Sequence, residues 1–195
     1  MIDLAGAVLI GQGNGRACYR HPQDPGLVIK VARPGGDARD QNRQEITYLG
    51  SLLRRQVPFD HLPRFVGTVP TSLGEGLVCE FIVDADGQPS VAIPRAIELG
   101  LLARPAAEAL LADLYTYLLR HGIALGDSGA DNVLWQRSAT GARAVLIDGI
   151  GARRPGPKAT LRRLVPWCAR LALRHQWPRL LANLPAGPLP SALTP

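Results

Sequence analysis

Cysteine pairs are missing from this chain. Its three cysteines, Cys18, Cys79 and Cys168, lie far apart, an odd count with no C-x-x-C pair among 195 residues. That spacing excludes a disulfide framework and a cysteine-based zinc site, and it points to a reducing compartment. Missing too is any apolar stretch approaching the ~20 residues that cross a bilayer. The opening MIDLAGAVLIGQGNGR has no basic region followed by a long apolar run, so it does not read as a signal peptide. The chain therefore reads as soluble and cytoplasmic, with no membrane partner. Aromatic residues make up only 5%, and no recognisable nucleic-acid-binding motif accompanies them. No Gly-Lys-Ser/Thr ending occurs, which excludes a Walker loop. No internal repeat is visible.

What is present is an ordinary globular balance, 46% hydrophobic and 19% charged. That is enough for one domain, or for two small lobes sharing a core. The net charge of +6 implies attraction for anionic ligands. Much of it is crowded into the last quarter, as Arg153, Arg154, Lys158, Arg162, Arg163, Arg170, Arg174 and Arg179. Nucleic acid and phosphorylated small molecules are both candidate partners for that cluster. A solvated basic helix face is its plainer reading.

Along the chain, residues 6–33 read as three short strands. They run through Val8-Leu9-Ile10, Ala17-Cys18-Tyr19-Arg20 and Leu27 to Val31, with Gly-, Pro- and Asp-rich turns between them. A helix follows to about Arg55, capped by Asp37 or Asp40, with Ile46, Leu49, Leu52 and Leu53 at helical spacing. Two further strands, Arg64 to Val69 and Leu77 to Val83, flank a turn at Thr71 to Gly76. The turn-rich Asp84-Ala85-Asp86-Gly87-Gln88-Pro89 marks a lobe boundary, dividing 1–83 from 84–184. Beyond it the character is helical: Ala92 to Leu102, then Pro105 to His121 with Gly122 just past its end. Ala159 to Leu184 reads as one or two amphipathic helices broken near Pro166 and Pro178. The Pro-rich 185–195 reads as a disordered tail.

The chemistry-bearing residues fall in a definite order. Gly11, Gly13 and Gly15 form a turn between strands, where glycine permits positive φ and close approach of backbone N–H groups to phosphate. Lys30 interrupts an otherwise apolar strand, and a buried ammonium is costly without an anion. Glu45, on the next helix, supplies one. Near the end, His121 to Gly151 holds Asp127, then Asn132 five residues on, then two strand-like runs joined by a turn at Ser138 to Gly141. The second run delivers Asp148 followed by Gly149. Carboxylate and amide oxygens suit a hard divalent cation whose remaining ligands come from phosphate. Singly, each Asp is ordinary turn chemistry. Together they read as a metal–phosphate site.

This ordered set resembles the protein-kinase-like superfamily. Val28-Ile29-Lys30 is similar to its strand-lysine motif, Asp127 to Asn132 to its catalytic loop, and Asp148-Gly149 to its metal-binding Asp motif. More narrowly, the chain resembles the small bacterial family of PhoP-regulatory-network proteins of the YrbL type. Ile10-Gly11-Gln12-Gly13, Cys18 to Pro22, Ile29-Lys30-Val31, Asp84 to Gly87 and Ile147 to Gly151 carry that likeness.

The resemblance implies an α+β, two-lobed kinase-like fold: an antiparallel-sheet N-lobe with one helix, and a reduced, mostly helical C-lobe. It implies ATP and Mg2+ as cofactors. Lys30 would neutralise phosphate charge, Glu45 would hold its ammonium, Asn132 and Asp148 would ligate the cation, and Asp127 would accept the acceptor's proton. Glu80 and Ile82, at the end of the last N-lobe strand, would meet the adenine edge. The sequence departs from the kinase pattern at Leu125, where a His is usual, and at Arg16, which stands near the usual third Gly. With about 44 residues after Gly151, there is little room for a peptide-binding platform. Three functions follow: phosphotransfer to a small molecule or an unusual protein target; a catalytically inactive, nucleotide-responsive regulatory module; and a basic nucleic-acid-binding protein, against which the scarcity of aromatics argues.

Overall fold

The computed structural model describes residues 1–13, 15–33, 38–152 and 155–188; the side chains of 38–40 lie outside that description. The first half is a five-stranded antiparallel sheet in the order β1-β2-β3-β5-β4. Its strands are β1 (Leu9–Gln12), β2 (Arg16–Arg20), β3 (Leu27–Ala32), β4 (Phe65–Thr71) and β5 (Gly74–Glu80), with helix α1 (Ala38–Arg54) between β3 and β4. Side chains alternate across a strand, so β3 splits its residues between two faces. Ile29 and Val31 enter a small core with Leu4, Ala17 and Val78. Val28 faces the main core beside Leu77, Cys79 and the α1 residues Tyr48, Leu49 and Leu52. Lys30 shares the face of Val28, which aims it toward α1 rather than toward solvent.

Among the described side chains of α1 the buried positions are Asn42, Glu45, Tyr48, Leu49, Ser51 and Leu52, spaced as one helical stripe. This corrects the apolar reading: Leu53 is 47% exposed, and the stripe sits one position earlier, carrying the polar Asn42, Glu45 and Ser51 inward. Asp40 lies inside the helix rather than at its cap, and Asp37 falls outside the described residues. β4 and β5 also meet more tightly than expected. Only Ser72 and Leu73 separate them, and β5 ends at Glu80, short of Val83.

From residue 91 the chain turns helical. β6 (Val91–Ala92) leads into α2 (Ile93–Glu98), shorter than expected, and α3 (Arg104–His121) follows. α3 ends at Gly122, whose φ of 58° places it in the left-handed region, a conformation glycine adopts without strain. The hairpin β7 (Val133–Ser138) and β8 (Gly141–Leu146) pairs with β6 in a small second sheet. α4 (Pro157–Leu164) and α5 (Pro166–Ala182) close the fold. A Cβ at Gly122 would meet Pro166, while Arg104 reaches the carbonyls of Leu184 and Pro185, so α5 runs antiparallel to α3.

Pro166 does separate two helices. Pro178 breaks nothing and lies within α5. Trp177 and Leu180 beside it are buried in the main core, and that packing outweighs the backbone bond a proline forfeits. Of the expected 185–195 tail, Pro185 is held by Arg104 and 189–195 lie outside the described residues. No helix among the described residues is long and apolar enough to cross a membrane.

Candidate active site

Backbone pairing beyond the β7–β8 hairpin brings three distant side chains to one floor. Ile147 N donates to Asn132 O at 2.8 Å, and the amides of Gly126 and Asp127 both donate to Gly149 O. Leu125 pairs with Ile150 in an isolated bridge. Leu125 itself is fully buried, so the position where the kinase resemblance would place a His serves here as core. Asp127 Oδ1 accepts from Gly129 N at 3.1 Å, and Asn132 Nδ2 lies 3.4 Å from Asp127 Oδ2. Gly149 makes this closeness possible: its φ is +82°, and a Cβ there would stand 2.9 Å from Asp127 Cβ. Asp148 is thus delivered beside Asp127 and Asn132 rather than pushed past them.

The sheet supplies the facing groups. In the β2–β3 register Cys18 opposes Lys30 and Arg16 opposes Ala32, so Arg16, Cys18 and Lys30 share a face. Lys30 Nζ lies 3.1 Å from Glu45 Oε1 and donates to Ile147 O at 2.5 Å. Arg16 spans two acids, with Nη1 on Glu45 Oε2 and Nη2 on Asp148 Oδ1. Asp148 Oδ1 also accepts from Gly149 N.

The ionisations follow from this arrangement. Burial alone would lower Lys30 and Arg16, but Glu45 and Asp148 outweigh it and hold both cations above their ordinary range. Burial would raise Asp148, and Lys30, Arg16 and the Gly149 amide outweigh that, holding its carboxyl below the usual value. Burial raises the thiols of Cys18 and Cys79, the latter to about 12. Neither is poised as a thiolate nucleophile.

Between floor and sheet lies a cavity of about 990 Å3. Lys30, Glu45, Asp127, Asn132 and Asp148 all line it, and so do Gly11, Gly13, Gly15, Glu80 and Ile82. Every site residue singled out from the sequence therefore faces one space. Two details differ from expectation. Neither Gly11 nor Gly13 has a positive φ, and a Cβ at Gly11 would meet nothing within 4 Å. Any need for glycine there comes from room above the cavity, not from backbone strain. At the other wall, Phe81 N donates to Gly26 O, so that amide is occupied, and Ile82 O accepts one bond from Ser90 N, which leaves it a second acceptor site. The cations Lys158, Arg162, Arg163, Arg170, Arg174 and Arg179 sit on α4 and α5, outside the cavity lining. Arg170 is spent on the α3 carbonyls of Leu119 and Arg120, and Arg153 and Arg154 fall outside the described residues.

The residues present fit a magnesium ion held jointly with phosphate. Asn132 uses its N–H on Asp127, which leaves its amide oxygen as the candidate ligand beside the Asp148 carboxylate. Among the described residues no group of three or more His, Cys, Asp or Glu side chains could hold a metal. A cation here would draw its other ligands from phosphate and water.

Two further residues shape the site. Tyr48 on α1 accepts the Ala124 amide at 2.7 Å through its hydroxyl, and its ring packs over Gly151, where a Cβ would come within 2.8 Å. It thereby ties the helix bearing Glu45 to the segment bearing Asp148. Arg16 is the other. Its only sequence signal was its displacement of a glycine.

Comparisons with known proteins bear on the family and the fold. The family model described as PhoP regulatory network protein YrbL matches residues 2–185. The uncharacterized protein YrbL of Escherichia coli (strain K12) is 33% identical over 187 residues, covering 94% of this chain and 88% of the relative. The Shigella flexneri protein of the same name matches equally. Among solved structures, a mutant form of the Mycobacterium tuberculosis PknI kinase domain aligns with a TM-score of 0.55 and 19% identity. That alignment covers 96% of this chain and 77% of that domain. The fold is that of a protein kinase domain.

Proposed function

We propose that this chain, which belongs to the PhoP regulatory network protein YrbL family, binds ATP with magnesium in its cleft and transfers the terminal phosphoryl group to a small molecule or an unusual protein target. One observation carries the reading: Lys30, Glu45, Asp127, Asn132 and Asp148, scattered over more than a hundred residues, converge on one cavity. Lys30 binds phosphate oxygens while Glu45 positions its ammonium. Asn132 and Asp148 hold the cation, which offsets charge on the transferring phosphoryl. Asp127 stands at the floor to orient the acceptor hydroxyl and take its proton. The cavity volume suits a nucleotide-sized ligand.

The contact of Arg16 with Asp148 favours a second reading, a nucleotide-responsive regulatory module that does not turn over. Calorimetric titration with ATP and Mg2+, followed by product analysis across alcohol and protein acceptors, separates the two. Phosphotransfer requires Asp127→Asn to bind nucleotide about as well as wild type while losing turnover by about a hundredfold or more. Binding without transfer to any acceptor supports the module. Absence of binding removes both.

A further inference from the structure

Arg16 has no part in the phosphoryl transfer just described, yet it bonds two acids of the cleft. It opens β2 directly after the glycine turn, and Gly13 N is tied to its carbonyl at 2.9 Å. Its guanidinium bridges Glu45 on α1 and Asp148 on the floor. Its side chain is only 12% exposed, whereas that of Asp148 is 35% exposed. Arg16 and Lys30 thus set two positive charges directly against Glu45 and Asp148, in a cavity that Asp127 also lines.

That arrangement has a consequence. A divalent cation arriving alone at Asp148 meets the Arg16 guanidinium on the same carboxylate and is repelled. A nucleotide changes the sum, because its phosphates bring several negative charges into the cavity beneath the glycine turn, where Arg16 is rooted. The planar guanidinium that bridges two carboxylates can equally bridge phosphate oxygens.

We propose that Arg16 is a built-in counter-cation for Asp148: it keeps the metal site closed to free divalent cations and moves onto the nucleotide's phosphates when these enter, so that metal binding is conditional on nucleotide. The inference rests on the nucleotide-binding reading, but its metal arm can be read separately.

The test uses the full chain and Mn2+ as a spectroscopic probe, with and without a non-hydrolysable ATP analogue. Wild type is expected to bind Mn2+ only when the analogue is present. Arg16→Gln should bind Mn2+ without nucleotide about tenfold or more tighter than wild type, the scale of removing one adjacent unit charge. It should also bind the analogue more weakly than wild type when metal is absent. Arg16→Lys, which keeps the charge but not the fork, should fall between, and it preserves the test should the Gln variant fold poorly. Asp148→Asn added to Arg16→Gln should erase the new Mn2+ site. Equal nucleotide-free Mn2+ binding by wild type and both Arg16 variants overturns the proposal. So does a gained Mn2+ site that survives Asp148→Asn. If the analogue binds none of the proteins while Arg16→Gln gains Mn2+ at Asp148, the nucleotide reading fails and the counter-cation role stands.

Discussion

Two aspartate–arginine pairs, Asp84–Arg137 and Asp148–Arg16, share their chemistry and invert their placement. In the first the acid is buried, with 2% of its side chain exposed, and its arginine is 46% exposed. In the second the arginine is the more enclosed partner, with 12% of its side chain exposed, and the acid opens to the cleft at 35%. Asp84 is saturated: its oxygens accept from Ser90 Oγ, Arg137 N and Arg137 Nε, all within 2.8 Å. It fastens the turn after the large sheet to β7. Asp148 spends Oδ1 on Arg16 and Gly149 N and keeps an edge on the cavity. An acid enclosed by donors is a fastener, whereas an acid left facing a cavity is available to a ligand.

The largest expected effect is on the fastener. Asp84→Ala leaves the buried Ser90 hydroxyl and Arg137 amide without their acceptor, which should cost about 2–3 kcal/mol in chemical denaturation. Asp148→Ala should cost about 1 kcal/mol or less, because Arg16 keeps Glu45 and the lost carboxylate was partly solvated. Equal losses would erase the distinction between the pairs.

The next effect is on acid stability. Both carboxyls are held below their ordinary range: burial would raise each, and the surrounding N–H, hydroxyl and cationic groups outweigh it. A depressed folded value means the stabilisation is present above the unfolded value and is lost as pH falls through the folded one. The melting temperature should therefore drop below about pH 4. Asp84→Asn and Asp148→Asn should each flatten that drop, and an unchanged acid limb in both variants would contradict the assignment.

The smallest effect is expected at Arg137→Ala. The exposed guanidinium goes while the backbone amide on Asp84 remains, and the loss should be about 1 kcal/mol or less by thermal unfolding.

Much of the cleft was legible in the sequence for a physical reason. Lys30 lies in a strand that is apolar on both sides, so its charge needed an anion, and Glu45 was the carboxylate on the next element. Gly122 ends α3 where a left-handed residue was needed. What escaped depended on distance or on tertiary packing. Arg16 finds its acids 29 and 132 residues away, and no local pattern links them. The α1 stripe was misplaced because Leu53 looks apolar, whereas Glu45 and Asn42 are buried where Lys30 and the Glu75 carbonyl receive them. Pro178 has the local signature of a helix break, and only the core packing of its neighbours overrides it. The contact of Tyr48 with Gly151 exists only once α1 lies over the floor.

The central claim is that this cleft holds a magnesium–nucleotide complex through Asp148. Thermal unfolding of wild type and Asp148→Ala, each with and without ATP and Mg2+, tests it most directly, because a ligand bound only by the folded chain must raise its stability. Wild type should gain about 2.7 kcal/mol at a nucleotide concentration a hundred times its dissociation constant, and Asp148→Ala should lose the Mg2+-dependent part of that gain. No shift in wild type at saturating nucleotide, or an equal Mg2+-dependent shift in both proteins, would contradict the account.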